Sequence, residues 1–422
     1  MLQQTRRFLS DIWTLAKPYW NSEERWAARL LLAAIIVLNL GLVGINVMLN
    51  QWNNAFYNAL QDKDWEAFLS QLMYFCVLAT VFIVVAVYRI YLNQMLQIRW
   101  RRWLTNRYID EWLGGQTYYR LQFADNPTDN PDQRIADDLR MFVSLTLSLS
   151  LDLLSSVVTL VSFLGILWSL SGPVTLPVFG GIEIPGYMLW VAIVYAILGT
   201  WLTHKVGRPL TRLNFDQQRY EADFRFSLVR FRENAEAIAL QGGEADEARA
   251  FGRRFGDVMS NWWDIMRRQK QLTWLTAGYS QVAMIFPIVV IAPRYFAGAI
   301  QLGGLMQTAS AFRQVQESLS WFVDSYVNLT EWRATVDRLI GFHNAIVVTQ
   351  AASAAKPTIA RGQGDTPALS VEGLVLALPR QDHGFVEADL KVERGDWVLM
   401  TGPSGSGKST LFRAIAGIWP FG

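Results

Sequence analysis

The sequence predicts a mainly α-helical chain of six long membrane-spanning helices, followed by the start of an α/β domain built around a phosphate-binding loop. Three observations carry this expectation. Of 422 residues, 51% are hydrophobic, only 18% are charged and 18 are tryptophan, whereas soluble domains carry about 25% charged residues. Mean hydropathy is +0.16, and an excess of tryptophan suits the two membrane–water interfaces. Apolar runs of the ~20 residues that cross a bilayer as a helix recur along the chain, and a complete G-x-x-x-x-G-K-S pattern stands at 402–409.

The elements follow in order. In "TRRFLSDIWTLAKPYW", Phe8, Ile12, Leu15, Ala16 and Tyr19 fall at helical spacing, with Arg6, Arg7, Asp11 and Lys17 between them. Residues 1–26 therefore read as an amphipathic helix, lying either in the membrane interface or against cytoplasmic loops. Residues 27–343 form the membrane domain, with spans at about 27–49, 71–92, 141–170, 186–203, 275–300 and 303–330. The first is too long for a cleavable signal and no small-residue cleavage site follows it. The sixth is the least apolar, because it holds Arg313, Glu317 and Asp324.

Orientation follows from the basic residues. The 93–140 loop carries Arg99, Arg101, Arg102, Arg107, Arg120, Arg134 and Arg140, and the 204–273 loop carries still more. The opposite loops hold only Lys63 and Arg294. An excess of Lys and Arg marks the cytoplasmic side, which puts both long loops and both termini there. A sixth span is needed for the phosphate loop to share that side. Net charge is only +2, so bulk electrostatics imply no nucleic-acid partner. The single cysteine, Cys76, excludes an intrachain disulfide and a Cys-cluster metal site.

Residues 344–367 are rich in Ala, Gly, Thr and Pro and read as a linker. From 368 to 422, short apolar runs such as "ALSVEGLVLAL" and "WVLMTG" suggest strands. The second leads into Gly402, Pro403, Ser404, Gly405, Ser406, Gly407, Lys408, Ser409 and Thr410. Glycines let successive backbone N–H groups turn toward phosphate oxygens, and the helix that follows adds its positive end. Lys408 is placed for the β/γ-phosphates of ATP and Ser409 for Mg²⁺. The plain alternative, a Gly/Ser-rich turn with no ligand, leaves the coincidence of strand-like run, Lys-Ser pair and helix unexplained.

"TGPSGSGKSTLFRAIAGIWPFG" resembles the start of an ABC-transporter nucleotide-binding domain. The membrane part is similar to the exporter-fold branch that holds the peroxisomal fatty-acyl transporters (subfamily D) and bacterial importers of vitamin B12, bleomycin and antimicrobial peptides. "DNPDQRIADDLRMF" (129–142), "ENAEAIALQGGEADEA" (233–248) and "GGLMQTASAFRQVQESLSWF" (303–322) carry that resemblance, which covers nearly the whole chain. It implies that Glu236, Ile238, Ala239 and Gly243 belong to the EAA-like segment that couples the nucleotide-binding domain to the spans. Ala237 stands where many relatives have a second Glu, and Glu236 also reads as an ordinary solvated helix charge. The resemblance implies a homodimer with ATP between the two copies. It also implies a Gln loop, a signature, a strand ending in Asp-Glu and a switch His after the phosphate loop. None is found before Gly422, so the chain is expected to be incomplete and a poor ATPase alone. No aromatic for adenine is evident in "LVLALPRQ" (374–381).

Ionisable residues at membrane depth usually face a bundle interior or water. Asp152, Arg313, Glu317 and Asp324 either line a solute cavity or are structural, with Arg313 and Glu317 paired four residues apart and the two aspartates near helix ends. The expected activity is an ATP-driven permease subunit of the bacterial inner membrane, carrying a peptide, cobalamin-like or acyl solute. The competing readings are an ion-gradient-driven transporter of the same fold with a vestigial nucleotide domain, and a membrane-anchored phosphate-loop kinase or regulator.

Overall fold

In a computed structural model, residues 2–422 are described apart from 124–129, 177–181, 355–358, 360–361, 363–367, 379–383, 420 and 422. Helices come first: α1 (Leu2–Trp20), α2 (Arg25–Gln61), α3 (Trp65–Leu113), α4 (Thr117–Arg120), α5 (Pro131–Gln133) and α6 (Leu139–Ser171). A short antiparallel hairpin follows, β1 (Pro173–Leu176) with β2 (Ile182–Pro185). Then come α7 (Tyr187–Glu233), α8 (Ala235–Gln241), α9 (Glu244–Phe296), α10 (Leu302–Asp324) and α11 (Tyr326–Ala354). The chain closes with β3 (Leu369–Ala377) paired antiparallel to β4 (Gly384–Val392), and α12 (Lys408–Ile415).

Five of these helices, α2, α3, α6, α7 and α9, contain segments long and apolar enough to cross a membrane by length and composition. Along α3, Val77, Ile83, Val84, Val87 and Ile90 are all exposed, an apolar surface suited to acyl chains. The charged α10 is not among the five.

Two compact units divide the chain. The unit of Ile35–Ile90 and Ser150–Val327 centres on Phe163 and Leu167 of α6, Met188 and Ala192 of α7, and Ala311, Phe312 and Val315 of α10. Here α7 and α9 are tied by a reciprocal tyrosine clasp. The Tyr195 hydroxyl donates to the Tyr279 carbonyl at 2.7 Å, the Tyr279 hydroxyl donates to the Tyr195 carbonyl at 3.2 Å, and the rings stack at 4.5 Å. Gly199 permits this, since a Cβ there would run into the Tyr279 ring.

A ladder of amides joins α2 to the start of α10. Asn50 Nδ2 donates to the Gln307 carbonyl (3.0 Å), Asn54 Nδ2 to Gln307 Oε1 (2.6 Å) and Asn58 Nδ2 to Asn54 Oδ1 (2.7 Å). The Gly303 N–H donates to Asn58 Oδ1 (2.8 Å) and the Leu302 N–H to Gln61 Oε1 (2.7 Å). Residues 50, 54, 58 and 61 share one helix face. Two of them supply, from another helix, acceptors for the first-turn N–H groups that every helix start leaves open.

The other unit comprises Met1–Ala34, Tyr91–Leu149 and Asn328–Gly422. Leu15, Ala16 and Tyr19 of α1 are buried, with the Tyr19 ring stacked 5.6 Å from Trp100 of α3, so this face is covered by protein. Leu9 and Trp13 stay exposed. Farther along, Val336, Leu339, Phe342 and Ile346 of α11 are fully or almost fully buried. This explains one departure from expectation. The helix runs on to Ala354, through the first part of the segment 344–367 read as a linker, because buried Ile346 and helix-favouring alanines hold it. The rest of that segment lies largely outside the described residues.

A second departure concerns "WVLM". Residues 397–400 form no strand, and Trp397 and Leu399 are 100% and 86% exposed. A buried strand requires hydrogen-bonding neighbours, and among the described residues β3 and β4 pair with each other while none lies beside this run. Smaller differences fall at span ends. The helix α9 stops at Phe296, and the region 303–330 is broken at Ser325 between α10 and α11.

At Gly303 an added Cβ would drive into the Asn54 carbonyl oxygen and Asn58 Oδ1, whereas at Gly341 of α11 nothing lies within 4 Å. Gly303→Ala is expected to destabilise the protein by about 1–3 kcal/mol through overpacking. Gly341→Ala is expected to stabilise by up to about 1 kcal/mol by removing a helix-interior glycine. Thermal melts of the two variants in one detergent check the opposite signs.

Candidate nucleotide site, coupling segment and charged helix

The phosphate loop turns at three glycines with positive φ: Gly402 (155°), Gly405 (87°) and Gly407 (85°). A Cβ at Gly405 would meet nothing within 4 Å, so its restriction is conformational rather than steric. Gly407 caps α12 with no side-chain hydrogen bond, which leaves the first-turn N–H groups of Lys408 and Ser409 for an external acceptor. Lys408 Nζ folds back onto the loop, donating to the Gly402 carbonyl (2.8 Å), the Pro403 carbonyl (2.7 Å) and Ser406 Oγ (3.3 Å). Ser404 and Ser409 are exposed, whereas Thr410 points into the core with Leu411 and Ala414. That core, completed by Leu376 of β3 and Trp419, fixes the start of α12. An uncapped helix end, a glycine-shaped loop and an ammonium held by exchangeable carbonyl contacts together fit an ATP polyphosphate, with Ser409 available to Mg²⁺.

The second expected site lies at a hairpin tip. At ~1.5 Å per residue, α7 and α9 are ~70 and ~80 Å long. Their apolar segments end near 203 and begin near 275, so about 30 residues of each, or ~45 Å, extend beyond. The short α8 joins the two ends. Its stop is a Schellman motif: Gly242 takes φ 64°, its N–H donates to the Ala239 carbonyl (3.4 Å), and the Gly243 N–H donates to the Ile238 carbonyl (3.1 Å). Gly243 and Ile238 thus shape the turn, while Glu236 and Ala239 are exposed and Leu240 is 82% exposed.

The charged residues divide. On α10, Arg313, Glu317 and Asp324 are exposed and share one ~80° arc with half-buried Ser310 and Ser320. Leu305, Ala311, Phe312 and Val315 fill the opposite, buried face. Among the described residues no ion pair within 4 Å joins Arg313 to Glu317, and both are exposed. Asp324 is the last residue of α10, whereas Asp152 lies well inside α6 and is exposed.

A model of the ABC transporter transmembrane region 2 matches residues 15–296, and one of the ABC transporter domain matches 385–420. The chain belongs to the ABC transporter family. It is 36% identical over 420 residues to the inner membrane ABC transporter ATP-binding protein YddA of Escherichia coli, spanning 99% of this chain and 73% of that protein. It is 35% identical to the chloroplastic ABC transporter D family member 2 of Arabidopsis thaliana, over 97% of this chain and 59% of the relative. The lysosomal cobalamin transporter ABCD4 of Homo sapiens is 24% identical over 99% of this chain and 70% of its own. A solved bacterial Atm1-family ABC exporter with ATP bound superposes with a TM-score of 0.59 at 15% identity, over 94% of this chain and 66% of that one. The chain thus spans about 60–73% of the relatives compared. This ABC chain is a permease and ATP-binding half-transporter with an exporter-type membrane fold.

The structure also supplies polar contacts that sequence reading passed over. Arg89 of α3 lies inside the second apolar segment, and its Nη1 donates to Asn39 Oδ1 of α2 (2.9 Å). Asn39 Nδ2 in turn donates to the Leu151 carbonyl of α6 (3.0 Å), next to Asp152. The single arginine in the apolar run 71–92 was the available signal.

In the other unit, Asp138 is 2% exposed, at the end of a π-helical turn (Arg134–Asp138) that leads into α6. Arg338 of α11 grips it in a fork, Nε to Oδ2 at 2.9 Å and Nη2 to Oδ1 at 2.6 Å, and Arg134 Nη1 bonds Oδ2 as well. Burial opposes the Asp138 charge, but the two guanidinium hydrogen bonds outweigh it and hold the carboxyl below its usual range. A depressed carboxyl contributes stability that is full above the unfolded value, about pH 4, and is lost as pH falls through the lower folded value. Asp138→Asn is expected to cost about 3 kcal/mol, the low end for breaking a buried pair, because Arg338 is 38% exposed. Denaturant melts between about pH 3 and 7 check this, since the variant should show a flatter acid limb than the parent protein.

Proposed function

We infer that this chain is the subunit of an ATP-driven transporter of the bacterial inner membrane, with both termini in the cytoplasm, working as a homodimer on a polar or charged solute. The observation that carries this reading is the open phosphate loop, with its uncapped α12 start, on the same chain as five helices apolar enough to span a bilayer. ATP with Mg²⁺ would supply the free energy of phosphoryl transfer. The chain's own part is to hold the polyphosphate, through the N–H groups of Gly405, Gly407, Lys408 and Ser409 and the Lys408 ammonium, and to place the Ser409 hydroxyl beside the metal.

Glu236, Ile238, Ala239 and Gly243 then act at the α7–α9 tip, where a rigid ~45 Å extension carries movement to the membrane segments. The exposed Leu240 gives that tip an apolar docking point. The charged arc of α10 supports a water-filled solute path, since Arg313, Glu317 and Asp324 are too costly to face lipid. A second copy of the chain is supported by α9, where Trp262, Met266 and Trp274 remain exposed ahead of the apolar segment.

Two measurements test this reading. Lys408→Ala should weaken binding of MgATP to the detergent-solubilised chain by roughly tenfold or more, as expected for a lost charge-assisted contact. Uptake that an uncoupler abolishes and Lys408→Ala leaves intact would instead support the ion-gradient mechanism. Separately, Glu317→Gln and Arg313→Gln should leave MgATP binding unchanged while reducing uptake of labelled peptide, cobalamin or fatty-acyl probes into vesicles several-fold. Unchanged uptake of every transported probe would remove α10 from the path.

A further inference from the structure

A cavity of about 520 Å³ opens among α3, α6 and α11, and no phosphate-loop or α10 residue is among those lining it. Arg101 of α3 and Arg140 of α6 both line it. Each arginine is only lightly engaged. Arg101 Nη2 donates to the Ala136 carbonyl at 3.2 Å, and Arg140 Nη2 forms an exposed ion pair with Asp137 Oδ1 at 3.5 Å. Among the described residues the other guanidinium N–H groups have no further partner, so both side chains keep donors to spare.

The depth of the cavity narrows its ligand. On α3 it begins at Gln94, just past the apolar run that ends at Leu92, and on α6 it spans the boundary between Arg140 and Met141. The apolar wall is made by Ile98, Met141, Val143 and Leu145, while Gln97 and Ser144 add neutral hydrogen-bonding groups. Glu331 of α11 lines the same space and offers an acceptor to a hydroxyl or ammonium. Two arginines at the rim of an apolar segment, with an apolar wall on one side, match an amphiphile with a phosphate. Guanidinium groups bind phosphate with paired N–H donors, and basic residues at the cytoplasmic surface gain from the anionic leaflet.

We propose that this cavity is a binding site for the phosphate-bearing headgroup of an inner-leaflet phospholipid, with Arg101 and Arg140 on the phosphate and the acyl chains along Ile98 and Met141. It rests on the orientation inferred above but not on transport. Lipid held there would fasten the cytoplasmic ends of α3 and α6 to the leaflet.

The test titrates the full chain, in a maltoside detergent, with phosphatidylglycerol, with diacylglycerol of the same acyl chains, and with inorganic phosphate, counting bound molecules by native mass spectrometry. Phosphatidylglycerol should be retained and diacylglycerol should not. Arg101→Gln with Arg140→Gln should weaken retention by roughly 10- to 30-fold, from two surface-potential contributions, and Arg101→Lys with Arg140→Lys should recover part of it. Arg212→Gln, a 90% exposed arginine outside the cavity, should change nothing. Equal retention of diacylglycerol would show that no phosphate is recognised. Competition by inorganic phosphate at equal concentration would make this a soluble-anion site. Equal loss in Arg212→Gln would reduce the effect to bulk charge. Each of these outcomes overturns the proposal, and a wild-type melting temperature in the Lys variant guards against misfolding.

Discussion

A hydrocarbon slab offers no hydrogen bonds, so every polar group on a spanning segment needs a protein partner or a path to water. That constraint organises the membrane part of this chain. Asn39 is 1% exposed, and it is tolerable there because its amide bridges Arg89 and the Leu151 carbonyl. Just past the first apolar run, Asn50, Asn54, Asn58 and Gln61 contact the first turns of α10 and fix where that helix begins. With its start held and Leu305, Ala311, Phe312 and Val315 packed on one side, α10 has only one face left for Arg313, Glu317 and Asp324. Rotation by a residue or two would push charge into the apolar core, so the arc is set by packing.

The parts beyond the apolar segments answer to different physics. Outside the slab, α7 and α9 can be long because water satisfies their polar faces, and their ends are joined by a turn whose geometry depends on Gly242 at positive φ. Rigidity there comes from continuous helix rather than from a large core. The Asp138 cluster does the equivalent work in the other unit, binding the π-helical entry of α6 to α11 through a carboxylate that shares two guanidinium groups. The phosphate loop sits on a small core of Leu376, Leu411, Ala414 and Trp419, sufficient to orient α12.

Much of this was legible in the residues. The helices α2, α3, α6, α7 and α9 contain the expected apolar runs, because length and hydropathy are local properties. Gly402, Gly407, Lys408 and Ser409 announced a phosphate loop, since the conformations it requires belong to glycine. Other features were hidden for physical reasons. "WVLM" reads as a strand by composition, yet a strand exists only with neighbours, and residues 397–400 have none among the described residues. The segment after 344 lacks periodicity, yet Ile346 carries the helix on by packing. Arg313 and Glu317 have pairing distance in sequence, yet both stay exposed and no ion pair within 4 Å joins them among the described residues.

The sequence alone determined the membrane class and the glycine-shaped loop, because each depends on composition or on a contiguous pattern. Tertiary structure decided which polar residues became partners. Asp138 and Arg338 are 200 positions apart, and Asn50 and Gln307 are 257 apart. No local pattern encodes such pairings. They arise when helices pack and the low dielectric between them makes an unsatisfied amide or carboxylate more costly than almost any rearrangement.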